Sequence, residues 1–229
     1  MKALHVRFEG LTASYPYPFL RSGTALTLPV PPYSSVLGML GACVGSDIVP
    51  QDLWLGYEFA CGPFTSIDLE RTERLQTDKQ GQLRANPERG VAQRQFHIFP
   101  KLDVYVNDIS IMPALLAPVT PPRFGRSQDL AWVKIVREIE LVPIDQGGVR
   151  GTLVPYPETR IGQILPPLVD FYMNEQKGLL RQAARISRYA VIPSGELLFQ
   201  FTTGPRLHLY KPSDSSEQNH AILMQHFQA

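Results

Sequence analysis

The strongest constraint on the fold is a two-residue alternation of apolar and polar side chains in two distant segments. Residues 2–9 and 132–142 alternate in this way, and each predicts a strand with one buried face. The buried face carries Leu4, Val6 and Phe8 in the first segment, and Val133, Ile135, Ile139 and Leu141 in the second.

The segments between these strands follow a recognisable order. Pro31 and Pro32 with a serine cap predict a helix at about 34–44, and residues 54–69 and 95–107 are predicted strands. Residues 70–95 are polar and centred on a turn signal, which favours a long projecting hairpin. A short helix is predicted at 111–117. Strand, helix, strand, hairpin, strand, helix, strand is the order of an α+β, ferredoxin-like fold, as in RNA-recognition modules.

The chain is expected to divide into two regions. Residues 1–144 would form the ferredoxin-like domain, with the hairpin inserted at about 70–95. Residues 145–229 would form a smaller C-terminal α/β-hairpin region. In it we predict a helix at about 165–188, a closing hairpin around 203–205, and a frayed end from residue 213.

Composition bounds the class of protein. The 229 residues are 44% hydrophobic and 19% charged, which is enough apolar material for a core. The formal net charge is +1, so any nucleic-acid binding must come from local basic clusters. The sequence shows no secretory signal and no long apolar run, and Cys43 and Cys61 form no metal-binding spacing, so we expect a cytoplasmic protein without metal or cofactor.

The first basic cluster lies on the predicted hairpin and just beyond it. Residues 71–101 hold seven basic side chains against three acidic ones, and arginine favours contacts with phosphates. An equally supported alternative is a solvated hairpin whose charges keep an exposed strand edge from aggregating. The basic residues are Arg71, Arg74, Lys79, Arg84, Arg89, Arg94 and Lys101.

The second cluster is a stripe with spacings of four, four and three, which on a helix would place all its members on one face. An acidic partner or a nucleic acid would relieve their repulsion, and the alternative is a solvated helix face. The stripe consists of Lys177, Arg181, Arg185 and Arg188.

The third cluster is the turn FGRSQDLA at residues 124–131. It offers backbone N–H groups and a guanidinium to a phosphate, although a solvated turn with a salt-bridged arginine would have the same sequence. The candidate RNA-binding residues around it are Arg123, Gly125, Arg126, Ser127 and Gln128.

Two further groups could take part in RNA chemistry or stacking. His97 with Lys101 is the best pair for RNA cleavage by attack of a 2′-hydroxyl, but a packed strand histidine is the more common environment. An aromatic loop could stack on bases or fill the core. It contains Tyr15, Tyr17 and Phe19, with Tyr33 close behind.

Three segments together resemble a CRISPR-associated protein of the RAMP superfamily. They are KALHVRFEGLTASYPYPFL, PVPPYSSVLGMLGACVG and PPRFGRSQDLAWVKIVREIELV. The resemblance covers about residues 1–145 and is to the subunit of type I Cascade, of the I-B branch, that holds the 5′ handle of the CRISPR RNA (crRNA).

The resemblance implies a RAMP domain whose hairpin is a thumb over the guide and whose turn at 125–128 meets the handle. It implies crRNA, the backbone subunit and the large subunit as partners, with target DNA near the complex. One branch of the family cuts precursor crRNA with tyrosine, lysine and histidine side chains. His97 and Lys101 match this set only in part. We therefore expect a non-catalytic handle-binding and capping subunit. A metal-independent endoribonuclease and a pure protein adaptor are the alternatives.

Overall fold

The computed structural model describes residues 1–18, 23–159, 161–174 and 181–228, without the side chains of 72–74, 85–89, 174 and 181. This part of the chain is mostly β, with few helices. The helices are α1 (Tyr33–Val44), a 3-10 turn (Ile109–Ile111) and α2 (Met112–Leu116). Within the described ranges, no helix is long and apolar enough to cross a membrane.

Strands form most of the regular structure in both halves of the chain. The first eight are β1 (Lys2–Gly10), β2 (Thr12–Ala13), β3 (Thr24–Ala25), β4 (Leu53–Ala60), β5 (Thr65–Thr77), β6 (Leu83–Ile98), β7 (Lys101–Val106) and β8 (Ala131–Pro143). The remaining strands are β9 (Gln146–Val149), β10 (Thr152–Pro155), β11 (Gln163–Ile164), β12 (Leu168–Asn174), β13 (Arg181–Ser187), β14 (Tyr189–Ile192), β15 (Phe199–Thr202), β16 (His208–Pro212) and β17 (Ile222–Phe227).

Six strands form one antiparallel sheet that closes on itself, in the order β1-β7-β4-β17-β16-β8. The strands predicted from residues 1–144 are neighbours in the order β8-β1-β7-β4, with α1 between β1 and β4 in sequence and α2 between β7 and β8. Strands β16 and β17 fill the gap between β8 and β4. The C-terminal region therefore completes the sheet that the first 144 residues begin.

Both faces of β1 are buried, although its alternation predicts one buried face. Leu4, Val6 and Phe8 pack in the main core with α1, as expected. His5, predicted on the polar face, is only 4% exposed because the closed sheet encloses that side. A smaller core there contains Ala3, Tyr105, Ile139, Leu141, Ile222 and Met224.

Helix α1 begins and ends close to its predicted bounds. The expected serine cap is absent, because Pro32 is the N-cap and no side chain caps the helix. Gly45 adopts a left-handed φ of 85° beyond Val44, where its N–H donates to the Gly41 carbonyl. A glycine is favoured there because other residues rarely adopt this conformation. The helix buries Tyr33, Val36 and Leu40 against the sheet.

Three expectations for the C-terminal region were wrong. The predicted helix at 165–188 is replaced by the antiparallel strands β12 and β13, and residues 175–180 lie outside the described part. Strand β12 contains valine, phenylalanine and tyrosine, which favour a strand. Strand β15 pairs with β9, and β16 pairs with β8 and β17, so the two strands do not pair with each other, and only Gly204 and Leu207 form a bridge at the turn between them. The end expected to fray is β17, whose apolar side chains complete the closed sheet.

Strands β5 and β6 form a long antiparallel hairpin, from Thr65 opposite His97 to Thr77 opposite Leu83. Short strands β2 and β3 pair with β6 near its root, at His97–Ile98 and Gln93–Arg94. Among the described residues, the outer half of the hairpin has no further strand beside it.

Candidate nucleic-acid interface

The turn at 124–130 is held by its own backbone and by the loop beneath it. The Phe124 N–H donates to the Asp129 carbonyl, and the Asp129 N–H donates to the Arg126 carbonyl. Gly125 has a φ of +110°, and a Cβ there would lie 2.0 Å from the Ser14 carbonyl oxygen. Only glycine fits this position, so the turn has a fixed shape before any ligand binds.

Arg126 is the centre of this turn, and its guanidinium already has partners. Nε and one terminal nitrogen each donate to the Asp129 carboxylate at 2.9 Å. The other terminal nitrogen lies 3.2 Å from Glu70, and the guanidinium packs 5.4 Å from the centre of the Phe96 ring. With only 10% of its side chain exposed, Arg126 has the environment of a structural, salt-bridged arginine.

Glu70 joins the hairpin to the turn. Its carboxylate accepts a hydrogen bond from Arg94 of β6 at 2.7 Å and from Gln128 of the turn at 2.9 Å, and it also pairs with Arg126. Burial alone would raise the pKa of Glu70, but these hydrogen bonds and the two positive charges lower it below its ordinary value. Two of the three basic clusters therefore meet at one carboxylate.

Several other candidate residues are exposed at the surface of the hairpin and turn. Arg84 lies next to the hairpin turn and is 67% exposed, although its Nε is 2.7 Å from Asp78. Because the arginine side of this pair is exposed, the ion pair is weak, and Arg84 can exchange it for a phosphate contact. The other exposed candidates are Arg71, Lys79, Lys101, Arg123, Ser127 and Gln128. The side chains of Arg74 and Arg89 lie outside the described part.

The stripe predicted at 177–188 does not lie on a helix. Lys177 and the Arg181 side chain are outside the described residues, and Arg188 is exposed after β13. Arg185 is paired with the buried Asp170, 2.9 Å from its Nε, and its guanidinium packs 5.3 Å from the centre of the Phe227 ring. Its contacts are thus with β12 and β17, and not with the hairpin.

One face of the hairpin carries exposed apolar side chains beside Arg71, a feature that the distribution of charge did not indicate. Five of its side chains are 62–72% exposed: Ile67, Leu69, Leu75, Leu83 and Val91. In β5 they recur at even spacing, and this period of two was the available signal within an arginine-rich segment. Asp68, Glu70 and Arg94 occupy the opposite face, so the hairpin is amphipathic.

His97 is a buried histidine with both ring nitrogens engaged. Nε2 lies 2.8 Å from the Leu28 carbonyl oxygen, and Nδ1 lies 3.6 Å from Sγ of Cys61. Burial lowers the pKa of His97 below its ordinary value. Lys101 is exposed at the start of β7. These contacts describe a packed strand histidine rather than a base directed at an RNA.

The aromatic loop belongs mainly to the core. Tyr15 and Tyr33 are almost fully buried, and their rings contact Phe59 and Tyr57 respectively. Tyr17 is half-buried against the same core, and Phe19 lies outside the described residues. The described tyrosines therefore fill the core under the loop.

Comparison with known proteins identifies the fold. No protein-family model matches the chain, and no curated protein sequence matches it. A chain of a CRISPR RNA-guided surveillance complex aligns over 95% of both chains, with a TM-score of 0.50 and 17% identity. The two proteins share a fold. The likeness includes the C-terminal region, which the sequence resemblance to the RAMP superfamily did not cover.

Two further solved structures are similar at lower scores. A CRISPR protein from Archaeoglobus fulgidus gives a TM-score of 0.49 at 10% identity, covering 99% of this chain and 100% of that one. A chain of a Type III-B Cmr-beta complex bound to cognate target RNA gives 0.48 at 9% identity, covering 98% and 86%. The fold assignment rests on the surveillance-complex chain alone.

Proposed function

We propose that the chain is a non-catalytic, cytoplasmic subunit of a type I, I-B-like Cascade complex that binds and caps the 5′ handle of crRNA. The shared fold with a surveillance-complex chain supports this assignment. So does the strand order β8-β1-β7-β4 with two intervening helices, which is the order expected if residues 1–144 form a ferredoxin-like domain. The hairpin β5–β6 would be the thumb of that domain.

The main support for the proposal is that Glu70 links the hairpin to the turn. Because Glu70 binds both Arg94 of the hairpin and Gln128 of the turn, the two elements form one unit. Exposed cations on the hairpin, the turn and the start of β7 can then contact one strand together. A preformed set of charges binds with less ordering of side chains and loops than separate flexible segments would.

In this arrangement different residues have different tasks. Lys79, Arg84, Lys101 and Arg123 would neutralise phosphates, while Ser127 and Gln128 can donate hydrogen bonds to phosphate or base oxygens. Arg126 holds the shape of the turn through Asp129, so its contribution to RNA binding is indirect. Neighbouring backbone and large subunits, with target DNA nearby, would complete the assembly.

The test is an anisotropy titration of the purified chain with labelled single-stranded RNA of the host CRISPR repeat, at several salt concentrations. The double variant Lys101→Gln with Arg123→Gln should bind more weakly. Its plot of log binding constant against log salt concentration should be less steep, by about 1 for each phosphate that is no longer neutralised. Lys2→Gln with Arg206→Gln removes one exposed lysine and one exposed arginine outside the hairpin, the turn and β7, and is the matched control. Equal effects of the two pairs would contradict the proposal.

The same preparations address cleavage. Labelled repeat RNA incubated with the chain in EDTA should stay intact if the subunit only binds. Metal-independent cleavage that disappears in Lys101→Gln would support the endoribonuclease alternative instead. Binding that is indifferent to every exposed cation would support an adaptor that contacts only protein.

A further inference from the structure

A cleft of about 620 Å³ opens at the root of the hairpin, where the chain leaves β4 and enters β5. This volume is within the range of small-molecule sites. Its walls are residues 58–65, His97 near the end of β6, Arg150, and the loop at 193–196. The proposed RNA-binding function uses none of the reactive groups in this cleft.

Cys61 and His97 face each other in the wall of the cleft, with Sγ of Cys61 3.6 Å from Nδ1 of His97. The other ring nitrogen, Nε2, lies 2.8 Å from the Leu28 carbonyl oxygen. A carbonyl oxygen only accepts hydrogen bonds, so Nε2 carries the ring proton and Nδ1 presents its lone pair to the thiol. A nucleophile, a base and a group that orients the base are thus aligned, as an activated thiol requires.

The two groups are in the protonation states that this arrangement needs. Burial raises the pKa of Cys61, while a hydrogen bond with Ser194 lowers it in part, so the group is a thiol at neutral pH. Burial lowers the pKa of His97, which leaves its imidazole neutral and able to accept a proton. Ser194 Oγ lies 3.9 Å from Sγ on the C-terminal wall of the cleft.

The second cysteine gives an internal comparison. Cys43 lies in α1, is fully buried in the main core, and has a pKa raised to about 11 by burial. Cys61 is partly exposed and lines the cleft. The difference predicts that reagents in solution reach Cys61 and not Cys43 while the chain is folded.

We propose that Cys61 is a modification site, at which its thiol exchanges with a low-molecular-weight disulfide while His97 accepts the thiol proton. The Sγ–H proton moves to Nδ1 of His97, and Sγ bonds to one sulfur of the incoming disulfide. The S–S bond of the reagent breaks, and the departing thiolate takes the proton from His97. Cys61 is oxidised to a mixed disulfide, one thiol is released as the reduced product, and the imidazole is restored.

The site would act on the hairpin. Cys61 lies four residues before β5, and His97 belongs to β6, so an adduct on Sγ would occupy the cleft beside the paired roots of the two strands. The exchange reaction itself does not depend on RNA binding. Failure of one proposal therefore leaves the other standing.

The experiment uses the full chain with oxidised glutathione, followed by intact mass and peptide mapping. One adduct at Cys61 is expected, with Cys43 unmodified until the chain is denatured. Cys61→Ser should give no adduct, and Cys43→Ser should react as the unchanged chain does. Modification of Cys43 first, or of neither residue, would overturn the proposal.

The pH profile separates a base from a merely structural histidine. If His97 accepts the proton, the rate of thiol–disulfide exchange should not depend on pH between the pKa of His97 and the pKa of Cys61. Without His97 as acceptor, the rate should fall tenfold per pH unit below the pKa of the thiol. His97→Gln, whose amide can still donate to Leu28, should slow exchange at pH 7 by about 100-fold and remove the plateau. If that variant does not fold, the profile of the unchanged chain decides: a tenfold fall per unit throughout would refute the role of His97.

Discussion

Arg126 donates two hydrogen bonds to the carboxylate of Asp129, three residues further along the same turn, and this carboxylate is completely buried. The Thr12 hydroxyl donates to the same carboxylate from β2. A buried carboxylate in a chain of near-neutral charge is stable only when it is paired and hydrogen-bonded. The arginine that first suggested a phosphate ligand therefore has an internal anion as its partner.

Arg126→Ala should destabilise the fold strongly, because it leaves the Asp129 charge buried without its partner. Removing one member of a buried pair costs about 3–5 kcal/mol. Urea denaturation should show this as a lower midpoint with an unchanged slope. Arg123→Ala, at an exposed position in the same segment, should change the free energy of unfolding by less than about 0.5 kcal/mol. Equal losses in the two variants would disprove the structural role.

The two glycines Gly125 and Gly38 should respond in opposite ways to alanine. Gly125→Ala places a Cβ 2.0 Å from the Ser14 oxygen at a φ of +110°. Strain of this kind costs about 1–3 kcal/mol before the clash is counted. Gly38 is exposed in α1 with no atom within 4 Å of an added Cβ, so Gly38→Ala should stabilise by up to about 1 kcal/mol. Thermal unfolding of both variants measures the contrast, and a tolerated Gly125→Ala would contradict it.

Stability should fall in acid because two carboxylates in the enclosed face of the sheet have lowered pKa values. Burial would raise the pKa of Glu58, but His220 and Arg150 lower it through hydrogen bonds and charge. His5 and Arg7 do the same for Asp103. A group with a lowered pKa in the folded state contributes stability above its unfolded pKa, about 4, and this stability is lost as pH falls through the folded value.

The measurement for this prediction is the free energy of unfolding between pH 7 and pH 3. It should be constant in the upper part of that range and decrease below about pH 4–5. Glu58→Gln with Asp103→Asn should be less stable at pH 7 and show a shallower decrease in acid. A double variant with the unchanged acid dependence would assign the effect to other carboxylates.

Phe227→Ala should weaken the closure of the sheet. Phe227 is fully buried, its ring contacts Tyr33 and Phe171, and its strand pairs with β4. Loss of a buried phenylalanine side chain costs about 3–5 kcal/mol. Hydrogen exchange should then rise first in β4 and β17. The matched change Phe64→Ala removes an exposed ring and should leave exchange in these strands unaltered.

The N-terminal elements were predictable because each carries a local signal. The alternation in β1 and β8 and the proline-flanked start of α1 gave their positions within a few residues. The C-terminal region has weaker local signals. Its strands depend on partners far away in sequence, such as β17 with β4. They also depend on the buried Asp170 of β12, which accepts hydrogen bonds from Ser187 of β13 and Tyr189 of β14.

The candidate interface was likewise predictable only where it has a local sequence signal. The charge runs marked the hairpin and the turn, but the carboxylate that joins them, Glu70, is 56 residues from Arg126 and has no local signal of that pairing. The stripe at 177–188 was misplaced because spacings of four and three indicate a common face only if the segment is helical. Cys61 and His97 are also distant in sequence, and they are brought together by the pairing of β5 with β6 and by the hydrogen bond from the Gly62 N–H to the Ile98 carbonyl.

The position of β17 has a consequence for biosynthesis. This strand lies between β4 and β16, yet it is the last of the described strands to leave the ribosome. Until it emerges, β4 presents an unpaired edge with open backbone N–H and C=O groups, which other nascent chains could join.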